Sequence, residues 1–391
     1  MHSKDNSNSY IILVTGLLVG FPALVTDMYL PGFPSLMQFF NTNISIIQMS
    51  LMSTMLGIAS GQLIIGPLSD KHGRIAPLLI SLTFFIISTV FCVYTSNIYM
   101  FLFLRLAMGF TCSSGMVLSR AILTDKFTGS ELAKSLSVNT AVLGFSPAIA
   151  PVLGGIILTF SNWQGIFIFT FLFGAALLVL CFWLRESNPK IKRTPASSSA
   201  LSSFGKVAAN KVYIYYVLIF SFAMAVMFAY VSSSPFIFQG HYGLSPLVYS
   251  IIFGANALAL AVGAFIAGRL NSQFKAIRTG ITGLVSMALV VTLLLLFNFP
   301  VFYFETGIFI MFIFNGIIYP SSTTLALECN RDYAGTASSI HGAMSFLVGG
   351  IISPLVGLGN ILYSTAAGIL GCSLATVVLF WRLKNNIEKQ A

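Results

Sequence analysis

The chain has 391 residues, of which 57% are hydrophobic and only 8% charged, and its mean hydropathy is +0.91. An ordinary soluble domain has about a quarter of its residues charged, so this composition excludes a soluble globular fold and points to a polytopic membrane protein. A net charge of +10 would suit a nucleic-acid partner only if the basic residues clustered on a folded polar face, and the chain has no stretch that could build one.

Charge-free runs cover residues 28–69, 135–184, 212–268 and 333–381. Each is about twice the ~20 residues that one spanning helix needs, so each reads as a helical hairpin in the lipid bilayer. Shorter runs at 75–104, 106–119, 279–304 and 306–327 complete a count of twelve spans. The predicted helices are 10–31, 44–66, 76–95, 98–119, 134–159, 163–184, 212–233, 246–269, 278–298, 301–327, 334–358 and 361–382. These runs are apolar on all sides, which excludes a β-barrel, whose strands alternate apolar and polar positions. The first run is long enough to span and no small-residue cleavage site follows it, so it reads as span one, not as a signal peptide.

Lys and Arg fix the expected topology. Lys4, Lys71 and Arg74, Arg120, Lys126 and Lys134, the basic group within 185–211, Arg269, Lys275 and Arg278, Arg331, and Arg382, Lys384 and Lys389 all fall on one side of the twelve-span map. By the positive-inside rule both termini are cytoplasmic. Residues 185–211, rich in Ser, Lys and Pro, form the one long polar stretch and read as a flexible or surface-lying cytoplasmic linker. The expected organisation is a six-helix half at 1–184, the linker at 185–211 and a second six-helix half at 212–391. The halves look like diverged copies: "DMYLPGFP" after Thr26 is echoed by "SSSPFIF" from Ser232, and Gly61 and Gly66 match Gly263 and Gly268 at one offset. Secondary transporters use such repeats, with the substrate site between the halves.

Asp27 ends a run without charge since Asp5. A charge at membrane depth costs roughly 2.5–3.5 kcal/mol even on lenient insertion scales, so this carboxylate needs a partner, a water-filled cavity or a function. The segment "GPLSDKHGR" after span two holds Gly66, Asp70, Gly73 and Arg74. Its glycines permit a tight turn, and Asp70 can cap a helix and face Arg74 or Arg120. Arg105 sits well inside span four, four residues before Gly109; arginine stays charged, so it must snorkel or face the bundle interior. Span five carries Gly144, Pro147, Pro151, Gly154 and Gly155, small or helix-bending residues about a turn apart that let helices approach. Glu305, a few residues into span ten, reads as interfacial, and His341 within span eleven as a packed polar contact. Cys92, Cys112, Cys181, Cys329 and Cys372 show neither pairing nor metal spacing and read as small buried residues; no metal or cofactor is expected. No Gly-rich phosphate loop is present, which argues against an ATP-driven pump.

On these residues the sequence resembles the major facilitator superfamily. Gly66, Leu68, Asp70, Gly73 and Arg74 match its loop between spans two and three, Arg105 with Gly109 its span-four motif, and the Gly/Pro series of span five its antiporter motif. "TDMYLPGFP" resembles the signature of the bicyclomycin and chloramphenicol resistance group, and the resemblance covers the whole chain, most strongly residues 20–160. It implies an all-α membrane protein of the major facilitator fold that exports a small-molecule drug by proton antiport and alternating access, as a monomer in the bacterial cytoplasmic membrane. Asp27 and Arg105 would couple protons at one shared water-accessible site, residues 66–74 with Arg120 would latch the outward-facing state, and Gly144, Pro147, Pro151 and Gly154 would serve antiport. Position alone nominates Thr26, Tyr29, Cys112, Ser146, Tyr230, Asn256, Asn315 and Tyr319 as cavity-lining groups. The same fold could instead export an endogenous amino acid, sugar or siderophore. A receptor on this scaffold would be expected to have an added soluble domain. An enzyme would need a His/Asp/Ser constellation at depth that Asp27 and Arg105 do not supply.

Overall fold

The computed structural model describes residues 6–188 and 199–388; Lys4, Lys389 and linker residues 189–198 lie outside the described residues. The helices are α1 (Asn8–Asp27), α2 (Phe33–Phe39), α3 (Ile44–His72), α4 (Ile75–Tyr94), α5 (Ile98–Lys126), α6 (Gly129–Phe160), α7 (Trp163–Phe182), α8 (Ser199–Ala209), α9 (Lys211–Pro235), α10 (Pro246–Arg269), α11 (Gln273–Leu296), α12 (Val301–Glu328), α13 (Ala334–Leu355) and α14 (Ile361–Glu388). With α1, a 3-10 turn at Leu30–Gly32 and α2 taken as one crossing, twelve segments are long and apolar enough to cross a membrane.

Polar caps start these helices where the sequence offers them: Asn43, Asn97 and Ser245 accept from the backbone N–H of Ile46, Tyr99 and Val248 at 3.0, 2.8 and 3.3 Å. Several run past the apolar stretch that located them, α3 to His72, α5 to Lys126 and α14 to Glu388. Helical hydrogen bonding continues in water where propensity allows, so hydropathy marks the membrane-embedded part and not the helix end. Of the flexible and surface-lying readings of the linker, its described part fits the second: α8 lies across the end of the second half. Val207 is fully buried, Asn210 Nδ2 donates to the Cys329 carbonyl at 3.1 Å, and Lys206 Nζ donates to the Tyr333 hydroxyl at 3.3 Å. The apolar burial that this polar segment lacks by itself comes from that docking.

Helices α1 and α3–α7 pack on one another, as do α9–α14, and the two sets meet along α3 with α13 and α6 with α10. The sets repeat in detail. A Cβ on Gly109 would overlap the Thr54 carbonyl, clamping α5 to α3, and one on Gly316 would overlap the Leu260 carbonyl, clamping α12 to α10. Four residues before these glycines stand Arg105 and Phe312. Arg105 lies over the Tyr29 ring at 3.9 Å, and Phe312 meets the Tyr230 ring edge-on at 5.1 Å. The second half therefore keeps the packing of the first and has an uncharged ring where the first has a guanidinium.

Among the described residues, the hydrogen bonds between the two sets lie at the end where α1 finishes and α3 and α10 begin. Gln48 Nε2 donates to the Ser232 carbonyl at 3.0 Å, Ser45 Oγ to that of Pro354 at 2.9 Å and Gln239 Nε2 to that of Pro31 at 3.0 Å. The rings of Phe33 and Phe236 pack 5.9 Å apart beside them. The protein is thus closed at the end opposite the loop 66–74. Nearer that loop, the sets touch at Gly342 against Gln62.

Candidate functional site

Pro31 lacks an N–H, so the ladder of α1 cannot continue past Asp27 and the chain turns through Leu30–Gly32. The last-turn carbonyls of α1 are left without helical partners. Arg105 Nη2 takes one of them, the Val25 carbonyl, at 2.8 Å. Its guanidinium carbon lies 3.9 Å from the Tyr29 centroid and 5.6 Å from that of Phe167, and the residue is 1% exposed. The Tyr29 hydroxyl is 3.0 Å from Ser50 Oγ, which fixes the ring from α3. A buried guanidinium is thus held by a carbonyl, the negative end of a helix and an aromatic face.

Asp27 is 8% exposed and forms no ion pair with Arg105 among the described residues. Helical geometry gives the reason. Val25 and Tyr29, four apart, share the face of α1 that meets α5, whereas Asp27, two residues from each, projects about 200° away. That direction brings it within electrostatic range of Tyr249 on α10, whose hydroxyl is 3.0 Å from Ser234 Oγ on α9. The two residues expected to share one site therefore bracket Tyr29, with Arg105 in the packing of the first half and Asp27 turned to the seam.

The span-five motif divides likewise. Gly154 packs against the carbonyl of Met28, the residue after Asp27, and Gly155 against Ser250 and Leu247 of α10, so neither has room for a Cβ. Gly144 has open space around it, which corrects its reading as a point of close helix approach in this conformation. Pro147 and Pro151 lie inside α6, which continues through both. In the loop 66–74, Gly73 ends α3 with a φ of 94°, a conformation suited to glycine. Arg74 pairs with Asp70 through Nη1 and with Asp125 through Nε at 2.9 Å, while Arg120 is exposed and stands apart from that cluster. Gly66 has Val117 as its neighbour across to α5. Sequence reasoning missed Asp125 and Glu186. Glu186 caps α4 by accepting from the N–H groups of Arg74 at 2.8 Å and Ile75 at 3.2 Å, and Ser187 Oγ donates to Asp125 at 3.0 Å. Their only signal was an acid at the end of each of two helices on the loop side.

The nominated cavity residues fall into groups. Thr26 Oγ1 and Ser146 Oγ bond back to their own helices, at Pro22 (3.0 Å) and Val142 (2.7 Å), and Cys112 is buried with Sγ 3.4 Å from the Gly109 carbonyl. Asn256 Nδ2 donates to the Tyr230 hydroxyl at 2.8 Å. Asn315 Nδ2 donates to the Ala223 carbonyl at 3.0 Å and to the Tyr319 hydroxyl at 3.3 Å, and half-buried Tyr319 reaches Met227 Sδ at 3.6 Å. His341 Nε2 is 3.0 Å from Thr323 Oγ1, the packed contact expected of it. An apolar groove of about 730 Å³ between α3, α4 and α5, lined by Ile80, Phe84 and Phe110 among others, touches none of the nominated residues.

Two six-helix sets meeting at a seam that is shut at one end, with a buried carboxylate beside the shut end, are arranged as in membrane transporters built from two repeated halves. The Major Facilitator Superfamily profile matches residues 15–354, and the chain belongs to that family of membrane transporters. It is 37% identical over 358 residues to the uncharacterized MFS-type transporter YdgK of Bacillus subtilis, covering 90% of this chain and 89% of that one. It is also 29% identical to a bicyclomycin resistance protein homolog of Haemophilus influenzae, covering 96% of both, and 26% identical to multidrug resistance protein D of Escherichia coli, covering 97% of this chain and 96% of that one. The xylose transporter XylE of E. coli, in a partially occluded inward open conformation, superposes with a TM-score of 0.75 over 96% of this chain and 97% of that one; at 12% identity it shows the fold alone.

Proposed function

We propose that this protein exports drugs across the bacterial cytoplasmic membrane by exchanging them for protons at Asp27, as a monomer with both chain ends and the loop 66–74 on the cytoplasmic side. The observation that carries the reading is the carboxyl of Asp27: buried at the seam, without an ion pair, next to the contacts that close the outer end. An ionised carboxylate so placed is costly without a cation, so closing over it favours a bound proton or a positively polarised drug group. Opening to the cytoplasm lets drug replace the proton; opening outward lets a proton replace the drug. One proton moving through 100 mV contributes about 2.3 kcal/mol, enough for roughly a fifty-fold drug gradient per exchange. Names such as bicyclomycin resistance protein homolog and multidrug resistance protein D among the relatives support an antibiotic substrate.

The test is reconstitution in proteoliposomes with an imposed pH gradient and a panel including bicyclomycin and chloramphenicol. Uphill movement of a panel member that collapses with the gradient and is lost in Asp27→Asn is expected. Downhill movement alone, indifferent to the gradient and to Asp27→Asn, would overturn proton coupling.

A further inference from the structure

Glu305 lies five residues into α12, where an acid is expected to reach the aqueous boundary. The structure leaves it half-buried, with one carboxylate oxygen turned inward. Its Oε2 is buried without a hydrogen-bond partner, and the Asn256 side chain of α10 stands against its carboxyl. Asn256 is 1% exposed; its Nδ2 is committed to the Tyr230 hydroxyl at 2.8 Å, while its Oδ1 is buried and unpartnered. Tyr230 is closed in by the rings of Phe238, Phe253 and Phe312. The groups facing Glu305 from the helices around it are Tyr230 of α9 and Asn256 of α10, with Tyr249 of α10 next to Tyr230 and Tyr242 packed on neighbouring Phe304. The charged residues of α11, Lys275 and Arg278, belong to its opposite end, and His341 of α13 is bonded to Thr323 far along α12. Among the described residues Glu305 has no ion pair.

Two buried acceptors, Glu305 Oε2 and Asn256 Oδ1, thus lack donors within one cluster, in which the Asn256 amide faces the carboxyl. A proton on the carboxyl neutralises the acid and turns Oε2 into an O–H, which Asn256 can accept by turning its Oδ1 toward it. From the geometry we infer that Glu305, Asn256 and Tyr230 form a second proton-carrying site, in the C-terminal half, separate from Asp27. Tyr249 is within electrostatic range of both Tyr230 and Asp27. The site's existence is independent of the transported compound; its use, as a second proton exchanged per cycle, rests on the reading above. Loading forms the Glu305 O–H bond from a proton of the outer solution, and release breaks it toward the inner solution.

The experiment is infrared spectroscopy of the full chain in liposomes without any drug, titrated in pH, following the carboxylic-acid C=O stretch. Above about pH 6, where ordinary carboxyls are ionised, the wild type should show two acid components, one lost in Asp27→Asn and the other in Glu305→Gln. Incorporating 13C-glutamate into the wild type should shift only the second, which gives the assignment even if Glu305→Gln folds poorly. Asn256→Leu should move the Glu305 component to higher wavenumber, as expected when its O–H loses its acceptor. Absence of any 13C-sensitive acid component above about pH 6, where ordinary glutamates are ionised, would overturn the proposal, as would a Glu305 carboxylate signature that appears with sodium and without a proton, which would mark a metal-cation site. No drug enters this measurement, so its failure leaves the transport reading standing, and failure of transport leaves the site standing.

Discussion

Arg105 shows what a single side chain settles. Removing its guanidinium orphans the Val25 carbonyl and uncovers the Tyr29 ring, and the two losses fall on the joint between α1 and α5. A charged hydrogen bond contributes about 1.5–3 kcal/mol, and a desolvated cation–π contact about 2 kcal/mol. Arg105→Met should therefore lower the thermal unfolding midpoint of the purified protein, while the pH dependence of transport changes little, because Asp27 is not its partner. A large shift in the pH profile without loss of stability would show instead that the two charges are directly coupled. Tyr29→Phe should be mild, costing about the 0.5–1.5 kcal/mol of the bond to Ser50, and Tyr29→Leu distinctly worse; equal effects in the same melting assay would remove the ring contact from the account. At this scale the sequence was half legible. It marked Asp27 and Arg105 as charges at membrane depth, which are buried, and the four-residue spacing of Val25 and Tyr29 already put Asp27 on another face of the helix. Which face met α5 depended on packing between residues 80 positions apart, which no local pattern carries.

Helices were the most legible level, because an uninterrupted apolar run in a bilayer has almost no alternative to a helix. The breaks fall beside prolines: α1 ends at Asp27, short of Pro31 and of the expected end at 31, and Pro235 in the echoed segment stands where α9 passes into a π-helical turn, Phe236–His241. Glycines were less so, since the same residue type serves close contact and open space. Gly154→Leu should disrupt the seat of α6 on the Met28 carbonyl and with it the position of Asp27, reducing both folded yield and transport. Gly144→Leu should fold with near wild-type yield, since nothing lies within 4 Å of its Cβ position. Size-exclusion profiles of the two variants decide this; a well-folded, active Gly154→Leu protein would contradict the packing described. The docking of α8 was not legible, because its burial is provided by the second half and not by its own composition.

The whole molecule is a pair of helical sets hydrogen-bonded to each other at one end, and the proposed cycle requires that these contacts break. Met52 and Gly350 face each other across that seam, the Gly350 Cβ position lying 3.8 Å from the Met52 Cα. A Met52→Cys, Gly350→Cys protein should cross-link on oxidation, stop transporting, and recover on reduction; undiminished transport by the cross-linked form would refute alternating access through this end. At the other end Arg74 ties Asp70 to Asp125 within the first half. Asp70→Asn and Asp125→Asn should both slow transport with little change in drug binding from the cytoplasmic side, measured by initial efflux rates beside equilibrium binding; two unaffected rates would dismiss the latch. The two-half architecture and this loop were readable from periodicity and a short motif, whereas the side on which the seam is shut emerges only from contacts between distant helices such as Gln48 with Ser232. The central claim, that drug and proton exchange at Asp27, is tested most directly by proton release from unbuffered, detergent-purified protein on addition of a transported member of the antibiotic panel. The wild type should release protons and a folded Asp27→Asn variant distinctly fewer; release from that variant equal to the wild type would contradict the claim.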